Sequence, residues 1–179
     1  MRRVLMLTLI TCMLAAPAYA GGFALFGSWY EANDRDETAG IGGRIEIGDT
    51  WSLDLAATWY GEVKGPPTDS GVAVDEFRLL PVDVGVGYRF KVSGSVTPFV
   101  GAGASVFFLD AEPVRISNQV GWYARAGADV HLFGNFFLFG EVFWREADAE
   151  YKFDDGGLET RTDVNVGGFG ANIGAVWRF

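Results

Sequence analysis

Catalytic chemistry in this chain would have to involve His131, the only histidine among 179 residues. A histidine that acts with a serine nucleophile and a carboxylate can perform acyl transfer, and Ser105 and Glu141 are candidates for those two roles. No catalytic motif surrounds His131, however, and a structural hydrogen bond is the simpler interpretation. Glu141 and Arg145, four residues apart on one strand, are more simply explained as neighbours in an ion-pair network. The sequence therefore predicts no enzyme activity, no catalytic residue, no metal site and no cofactor.

A larger set of charged groups consists of five arginines and five carboxylates at alternate positions in apolar stretches. The set is balanced, although the whole chain carries a formal charge of −9. Balanced charge suits an enclosed space, because an unpaired ion away from bulk water is unstable, and the arginine fork pairs bidentately with carboxylates. We predict an ion-pair network in a barrel lumen, with surface ion pairs as the alternative. The ten residues are Arg44, Glu46, Asp54, Asp83, Arg89, Arg125, Asp129, Glu141, Arg145 and Arg178.

The elements that carry these residues are eight stretches in which apolar residues alternate with polar or small ones. A period of two is typical of β-strands with two unlike faces. The predicted strands span residues 22–30, 39–48, 51–62, 74–90, 97–109, 118–132, 136–149 and 162–179. Pro81 is expected to mark a bulge or an irregular start of the fourth strand.

The connections between the predicted strands alternate between long loops and short turns, which places all the long loops at one end. With an even number of strands, this pattern indicates a closed eight-stranded antiparallel up-and-down β-barrel. The last long connection, residues 150–161, is predicted to be an acidic loop. Carboxylates in the first and last loops would need divalent cations as bridges near phosphate-bearing lipid. These residues are Glu31, Asp34, Asp36, Glu37, Glu150, Asp154, Asp155 and Glu159.

Two all-β barrels fit this pattern, and the polar face distinguishes them. A soluble lipocalin-like carrier keeps its apolar face inside, and Gly27-Ser28-Trp29 is similar to the Gly-x-Trp of a first lipocalin strand. A membrane barrel turns its apolar face outward to lipid. A water-facing surface should be rich in Lys, Thr and Glu, whereas the polar face here carries balanced charges and seven glycines. We therefore predict a transmembrane barrel with the following glycines inside: Gly42, Gly85, Gly87, Gly101, Gly103, Gly127 and Gly174.

Aromatic residues recur on the apolar face at a spacing of eight residues, as in Trp51 and Trp59. Eight residues of a tilted strand project to roughly 20 Å along the barrel axis, close to the ~25 Å height of the apolar band between aromatic girdles. Chance in an aromatic-rich chain is the alternative. The predicted girdle consists of Trp29, Trp51, Trp59, Tyr88, Phe108, Trp122, Phe136, Trp144, Phe169, Trp177 and Phe179.

Residues 1–20 are predicted to be a cleaved signal peptide, and residues 21–179 form the barrel domain. Arg2 and Arg3 precede the apolar run 4–14, and Ala18-Tyr19-Ala20 is a small-x-small cleavage site. A membrane anchor is the alternative, but the run is too short to span a bilayer, and a lipoprotein site at Cys12 is weaker than the site at Ala20. Without the two arginines the formal charge is −11, because 12 basic residues oppose 23 acidic ones. This balance argues against nucleic acid as a partner.

Several segments resemble small bacterial outer-membrane barrels of the OmpW and OmpA-like type. The similarity is carried by Arg78–Phe90, by Thr97–Gly103, by Ala126–Asp129 with Phe136–Glu146, and by the ending Val176-Trp177-Arg178-Phe179. The resemblance implies an outer-membrane location, contact with outer-membrane lipid, and recognition of the Phe179 terminus by the envelope assembly machinery. The short turns and both termini would then face the periplasm.

Eight strands favour a filled interior over a wide aqueous pore. We predict either a structural scaffold or a narrow or lateral pathway for small or apolar solutes, with a lumen largely closed by the ion-pair network. The resemblance to OmpW adds sideways release of an apolar ligand into lipid, with which the inward Phe137, Phe139 and Phe143 are compatible. The alternatives are an adhesin that works through its loops, a lipid-modifying enzyme and a soluble lipocalin-like carrier.

Overall fold

The computed structural model describes residues 20–32, 37–64, 76–110, 119–155, 158–165 and 167–179. Of the predicted signal peptide only Ala20 falls in these ranges, so that prediction lies outside the described residues. In the described part, no helix is long and apolar enough to cross a membrane.

Eight strands close into one antiparallel barrel, which confirms the predicted fold class. The cylinder is closed by the first and last strands, which pair from Gly22–Arg178 to Ala32–Gly168. The strands are β1 (Gly21–Ala32), β2 (Glu37–Ile47), β3 (Trp51–Lys64), β4 (Glu76–Arg89), β5 (Val96–Asp110), β6 (Gln119–Phe133), β7 (Phe136–Glu146) and β10 (Gly168–Arg178). The neighbours around the barrel follow the order β1-β10-β7-β6-β5-β4-β3-β2.

Two further strands, β8 (Asp148–Asp155) and β9 (Leu158–Asn165), form a separate antiparallel hairpin. The prediction of an acidic loop over residues 150–161 was therefore wrong, and the last barrel strand begins at Gly168 rather than near residue 162. The alternation Ala149, Tyr151, Phe153 has a strand period, and Gly156-Gly157 is a two-residue hairpin signal. Acidic composition obscured both features.

The barrel has two unlike ends. The turn end carries the short connections 48–50, 90–95 and 134–135 together with Gly21 and Phe179, whose backbones exchange two hydrogen bonds of 3.0 Å. Gly48, Gly94 and Gly134 in these turns have positive φ, which glycine adopts without a steric penalty. The loop end carries the connections 33–36, 65–75 and 111–118 and the β8–β9 hairpin. The first long connection is shorter than predicted, because β1 and β2 extend towards each other.

The two faces of the wall are inverted relative to a water-soluble protein. Large apolar side chains such as Val84 and Ile173 are exposed on the outside, at 55% and 75%. Charged side chains such as Asp54 and Arg145 are buried inside, at 3% exposure each. The lipocalin-like alternative, which needs an apolar interior, is therefore wrong. The interior also holds aromatic rings, among them Phe26, Phe99 and Phe139.

Several inward glycines leave no space for a side chain. A Cβ on Gly174 would lie closer than van der Waals contact to the carbonyl oxygen of Leu25 and 2.7 Å from the Cβ of Phe26, both on the neighbouring β1. Because β1 and β10 close the barrel, this position combines a steric limit with the closing seam. Gly140, on the outer wall of β7, has nothing within 4 Å of an added Cβ.

Gly174→Ala is therefore expected to destabilise the barrel by about 1–3 kcal/mol, because the added methyl group forces β1 and β10 apart. The measurement is the urea unfolding midpoint of the refolded barrel. Gly140→Ala is the matched control and should leave the midpoint close to that of the parent protein. Equal midpoints for the two variants would contradict the steric argument.

Candidate functional site

Eight charged side chains form one connected ion-pair cluster, which occupies the interior from the turn end to the middle of the barrel. Glu46 on β2 lies at its centre. Its carboxylate contacts Arg89 and lies 3.7 Å from Arg44, 3.8 Å from Arg125 and 3.5 Å from Arg178. The members of this eight-residue cluster are Arg44, Glu46, Asp54, Arg89, Arg125, Asp129, Glu141 and Arg178.

The cluster links strands that are not neighbours in the sheet. Arg125 on β6 donates to Glu141 on β7 at 2.9 Å and to Asp54 on β3. Glu141 also accepts from Arg44 on β2 and, at 2.7 Å, from Asn172 on β10. At the turn end, Arg178 donates to Asp129, which lies 3.5 Å from Arg89. These contacts brace the barrel across its width.

A second group lies nearer the loop end and consists of Arg145, Asp83, Tyr60 and Ser105. Arg145 donates from Nη2 to Asp83 Oδ2 at 2.7 Å, and from Nη1 to the Tyr60 hydroxyl at 3.2 Å. The Ser105 hydroxyl donates to Asp83 Oδ1 at 2.6 Å. We call these four residues the loop-side group. Together with the eight-residue cluster it contains all ten charged residues singled out in the sequence, each of them on the inner face.

Aromatic rings support four of the five arginines. The guanidinium of Arg145 lies 4.2 Å from the ring centre of Phe143, and that of Arg44 lies 5.3 Å from Phe139. Arg178 and Arg125 lie over Phe137 and Phe99, at 5.2 and 5.1 Å. A guanidinium plane stacks favourably on an aromatic face. The three inward phenylalanines of β7 therefore hold arginines in place.

The space between the cluster and the loop-side group is small. Its volume is about 10 Å³, and it is bordered by Arg44, Asp54, Asp83, Arg125 and Arg145 among others. A space of this size holds about one water molecule. This space therefore offers little room for a solute.

The ladder between β3 and β4 contains a gap close to the loop-side group. Pairing runs from Trp51–Tyr88 to Ala57–Val82 and resumes at Tyr60–Leu79. Of the described positions between these pairs, Thr58 faces Pro81 and Trp59 faces Leu80, and neither is paired. The register then shifts between Tyr60 and Glu62, which leaves Gly61 as a bulge.

The gap follows from proline chemistry. Position 81 keeps its pairing with Phe107 on β5, so its backbone nitrogen faces Thr58 on β3. Proline has no N–H, and the carbonyl of Thr58 loses its ladder donor. The Thr58 side chain is 1% exposed, and its hydroxyl has no hydrogen-bond partner among the described residues. The other described seams show no interior gap, and the shift between His131 and Phe133 lies at the turn end.

The aromatic residues proposed for the girdle lie on the outer face. Trp51 contacts Tyr88, with ring centres 4.8 Å apart, and Phe136 contacts Trp177 at 6.2 Å, both near the turn end. Towards the loop end, Trp144 pairs directly with Phe169. The remaining members lie towards the same two ends, with Phe179 at the turn end and with Trp29, Trp59, Phe108 and Trp122 towards the loop end.

The candidate catalytic residues are not brought together. His131 is exposed at the turn end, where its ring nitrogen bonds to the Gly134 carbonyl oxygen at 2.9 Å. Ser105 is buried against Asp83, and Glu141 belongs to the eight-residue cluster. Within the described ranges, no group of three or more histidine, cysteine, aspartate or glutamate side chains is arranged to hold a metal ion.

Four residues of the site were missed in the sequence. Tyr60 and Ser28 are joined by a 2.7 Å hydrogen bond, Asn172 binds Glu141, and Thr58 lies at the gap. All four have inward parity, which is the signal that could have identified them. Their partners depend on the pairing of distant strands.

An apolar outer wall, an ion-paired interior and a closed ladder define a membrane-spanning β-barrel of the outer-membrane type. The chain belongs to the OmpW family, whose model matches residues 27–179. This match confirms the resemblance seen in the sequence and supports a location in the bacterial outer membrane.

Solved structures of outer-membrane barrels share the fold at low sequence identity. The outer membrane protein OprG from Pseudomonas aeruginosa has a TM-score of 0.71 at 16% identity, with 90% of this chain and 97% of that chain covered. The outer membrane protein AlkL in DMPC lipid bilayers gives 0.63 at 14% identity, with 90% of each chain covered. The E. coli outer membrane protein W gives 0.60 at 13%, with 90% and 99% covered.

Glu46→Gln tests the central position of Glu46 in the cluster. Loss of its charge leaves the surrounding arginines in excess in a buried site, so we expect a loss of about 3–5 kcal/mol in the free energy of unfolding. The measurement is urea unfolding of the barrel in lipid vesicles.

Asp49→Asn provides the control, because Asp49 pairs with Lys91 at 4.0 Å and both side chains are more than three-quarters exposed. An exposed pair of this kind contributes about 0–1 kcal/mol. A Glu46→Gln barrel as stable as the control would show that the cluster does not depend on Glu46.

Proposed function

We propose that this barrel gives small, largely apolar solutes a path from its loop end sideways into the outer-membrane lipid, with the exit at the gap between β3 and β4. The observation that carries the proposal is the gap itself. A membrane barrel normally satisfies every backbone group in its ladder, because lipid offers no hydrogen bonds. The interruption is therefore the position at which separation of two neighbouring strands requires the least free energy.

The eight-residue cluster supports closure of the interior towards the turn end. An apolar solute that moved along the axis to the turn end would have to separate buried charges, each of which would lose partners in a low-dielectric space. The small volume beside the cluster points in the same direction. A sideways exit above the cluster avoids this cost.

The residues around the gap suit a solute that is mainly apolar with one polar atom. On the inner face, Phe107 and Leu79 are almost fully buried and line the β4–β5 side, and the buried Thr58 hydroxyl offers one hydrogen bond. On the outer face, Trp59 and Leu80 are exposed at 51% and 37%. A solute that passed between them would meet apolar surface on both sides of the wall.

The orientation and assembly of the barrel belong to the same proposal. Residues 1–20 direct export as a signal peptide, the turn end and both termini face the periplasm, and Phe179 is recognised by the envelope assembly machinery. Loop carboxylates bind divalent cations next to phosphate-bearing lipid. Changing those carboxylates to amides should then abolish calcium-dependent stabilisation, and an unchanged calcium dependence would count against this part.

Two other functions give different results in the same experiments. The β8–β9 hairpin at the loop end favours recognition of an external partner as the second candidate. A scaffold without transport is the third, and a lipid-modifying enzyme is disfavoured by the separation of His131 from Ser105. Recognition and scaffolding both predict vesicles that take up no solute through the protein.

Pro81→Ala tests the exit directly. The new N–H can donate to the Thr58 carbonyl and complete the ladder, so the β3/β4 wall becomes harder to open. One hydrogen bond corresponds to roughly a fivefold change in an equilibrium, and we expect uptake of a small apolar fluorophore by protein-containing vesicles to slow by about that factor.

The control is Pro98→Ala, which also exchanges a proline for alanine and adds an N–H, but at the turn end beside Phe90, whose N–H donates to the Pro98 carbonyl, and not at the β3/β4 gap. This variant should transport at the parent rate, and planar bilayers should show no steady ion current for either protein. Unchanged uptake by Pro81→Ala would overturn the proposed exit. A steady ion current through the parent barrel would overturn the proposal that the interior is closed towards the turn end.

A further inference from the structure

Arg145 reaches across the lumen from β7 and contacts both strands that border the gap. It donates from Nη1 to the Tyr60 hydroxyl on β3 at 3.2 Å. It donates to Asp83 on β4 from Nη2 at 2.7 Å and from Nε at 3.3 Å. Tyr60 is the first paired residue of β3 on the loop side of the gap, and Asp83 lies two residues beyond Pro81 on the turn side. One guanidinium therefore bridges the interruption.

The position of Arg145 is itself fixed. Its side chain is 3% exposed and contacts the rings of Phe143 and Tyr30, at 4.2 and 5.8 Å from their centres. Asp83 is additionally held by the Ser105 hydroxyl from β5. A buried and stacked guanidinium has few alternative rotamers. The planar guanidinium therefore fixes the distance between its two acceptors, the Tyr60 hydroxyl and the Asp83 carboxylate.

We propose that Arg145 is the positioning residue of the lateral exit, where it bridges β3 and β4 and sets how readily the gap opens. This inference rests on the proposed function, because it assigns a control element to the exit proposed above. When the strands part, the guanidinium must release one of its two partners.

The two attachments differ in strength, which determines which strand moves. The contact with Asp83 is bidentate and joins two charges, whereas the contact with Tyr60 is a single hydrogen bond to a neutral hydroxyl. Both contacts have a charged donor, but the contact with Asp83 adds a second hydrogen bond and the attraction of an opposite charge. Opening therefore releases Tyr60 first: β3 moves away from the gap, and β4 stays with Arg145.

Tyr60→Phe removes the weaker attachment and leaves the ion pair intact. The measurement is amide hydrogen exchange of the folded protein in vesicles without solute, followed separately for β3, β4, β5 and β6. The variant loses both hydrogen bonds of the Tyr60 hydroxyl, to Arg145 and to Ser28, and loss of the bond from Arg145 alone should speed exchange in the β3 segment around Trp59 and Tyr60 by roughly fivefold. Exchange in β5 and β6 should not change, which separates local opening from general loss of stability.

The matched control is Ser28→Ala, which removes the other hydrogen bond of the Tyr60 hydroxyl, at 2.7 Å from Ser28, and keeps the bond from Arg145. Exchange at β3 should stay slow in this variant. A second test uses Arg145→Met combined with Asp83→Asn, which removes both charges together and avoids an unpaired buried ion. This double variant should also speed β3 exchange, and β4 should now exchange faster as well, because its own attachment is lost.

Unchanged β3 exchange in Tyr60→Phe, or equal acceleration in all strands, would overturn the role of Arg145. Uptake of the apolar fluorophore by the same vesicles tests the proposed function separately. Faster β3 exchange with faster uptake supports both proposals. Faster β3 exchange with unchanged uptake supports the bridge by Arg145 and overturns the lateral exit.

Discussion

The pairing of buried charges is the interaction on which the rest of this structure depends. The outer wall is apolar because it faces lipid, and the ten charged side chains of the ion-pair network are directed inward. A charge in that confined space is stable only with a partner. Glu46, which contacts four arginines, and Arg145, which joins β7 to β3 and β4, show how the barrel meets this requirement. The same contacts brace the cylinder and fill it.

In the proposed function, an interior occupied by paired charges restricts how the barrel can act on solutes. Small residues and aromatic rings occupy the positions between the charges, so the wall becomes the natural place for an opening. Away from the turn end, the pairing in the described seams is continuous except where Pro81 faces Thr58 and at the neighbouring bulge. The missing N–H removes one hydrogen bond between β3 and β4, which lowers the free energy needed to separate them by only about 1 kcal/mol. A difference of this size allows the strands to open and close reversibly. The loop-side group lies next to this position and ties both of its borders to the opposite side of the barrel.

Much of this architecture could be predicted from the sequence, because its main signals are local. The period of two assigned Arg44, Asp54 and Arg125 to one face, and short turns with glycine located the ends of the strands. The β8–β9 hairpin was missed because its acidic residues were given more weight than the alternation of Ala149, Tyr151 and Phe153. From parity alone, Phe137, Phe139 and Phe143 could either line a pathway or fill the lumen. The structure places each of them against an arginine.

The partners of the charged residues could not be predicted, for a physical reason. Whether Arg145 meets Asp83 or Glu141 depends on the stagger of strands that are distant in the chain. The same holds for Pro81: a bulge could be expected, but its position opposite Thr58 is set by the β3/β4 register. Thr58, Tyr60 and Ser28 carry no local signal beyond their parity, so their roles appear only once the barrel is closed.

The most direct test of this account is to locate a small apolar photolabel inside the barrel. After activation, labelled inward-facing residues would be identified by mass spectrometry, because outward-facing residues also react with label dissolved in lipid. A sideways exit at the gap predicts label on Thr58, Leu79 and Phe107, and none on Phe99 or Phe137 beside the eight-residue cluster. Label on Phe99 and Phe137 would show that the solute follows the barrel axis to the turn end, which would contradict an interior closed at that end with a sideways exit.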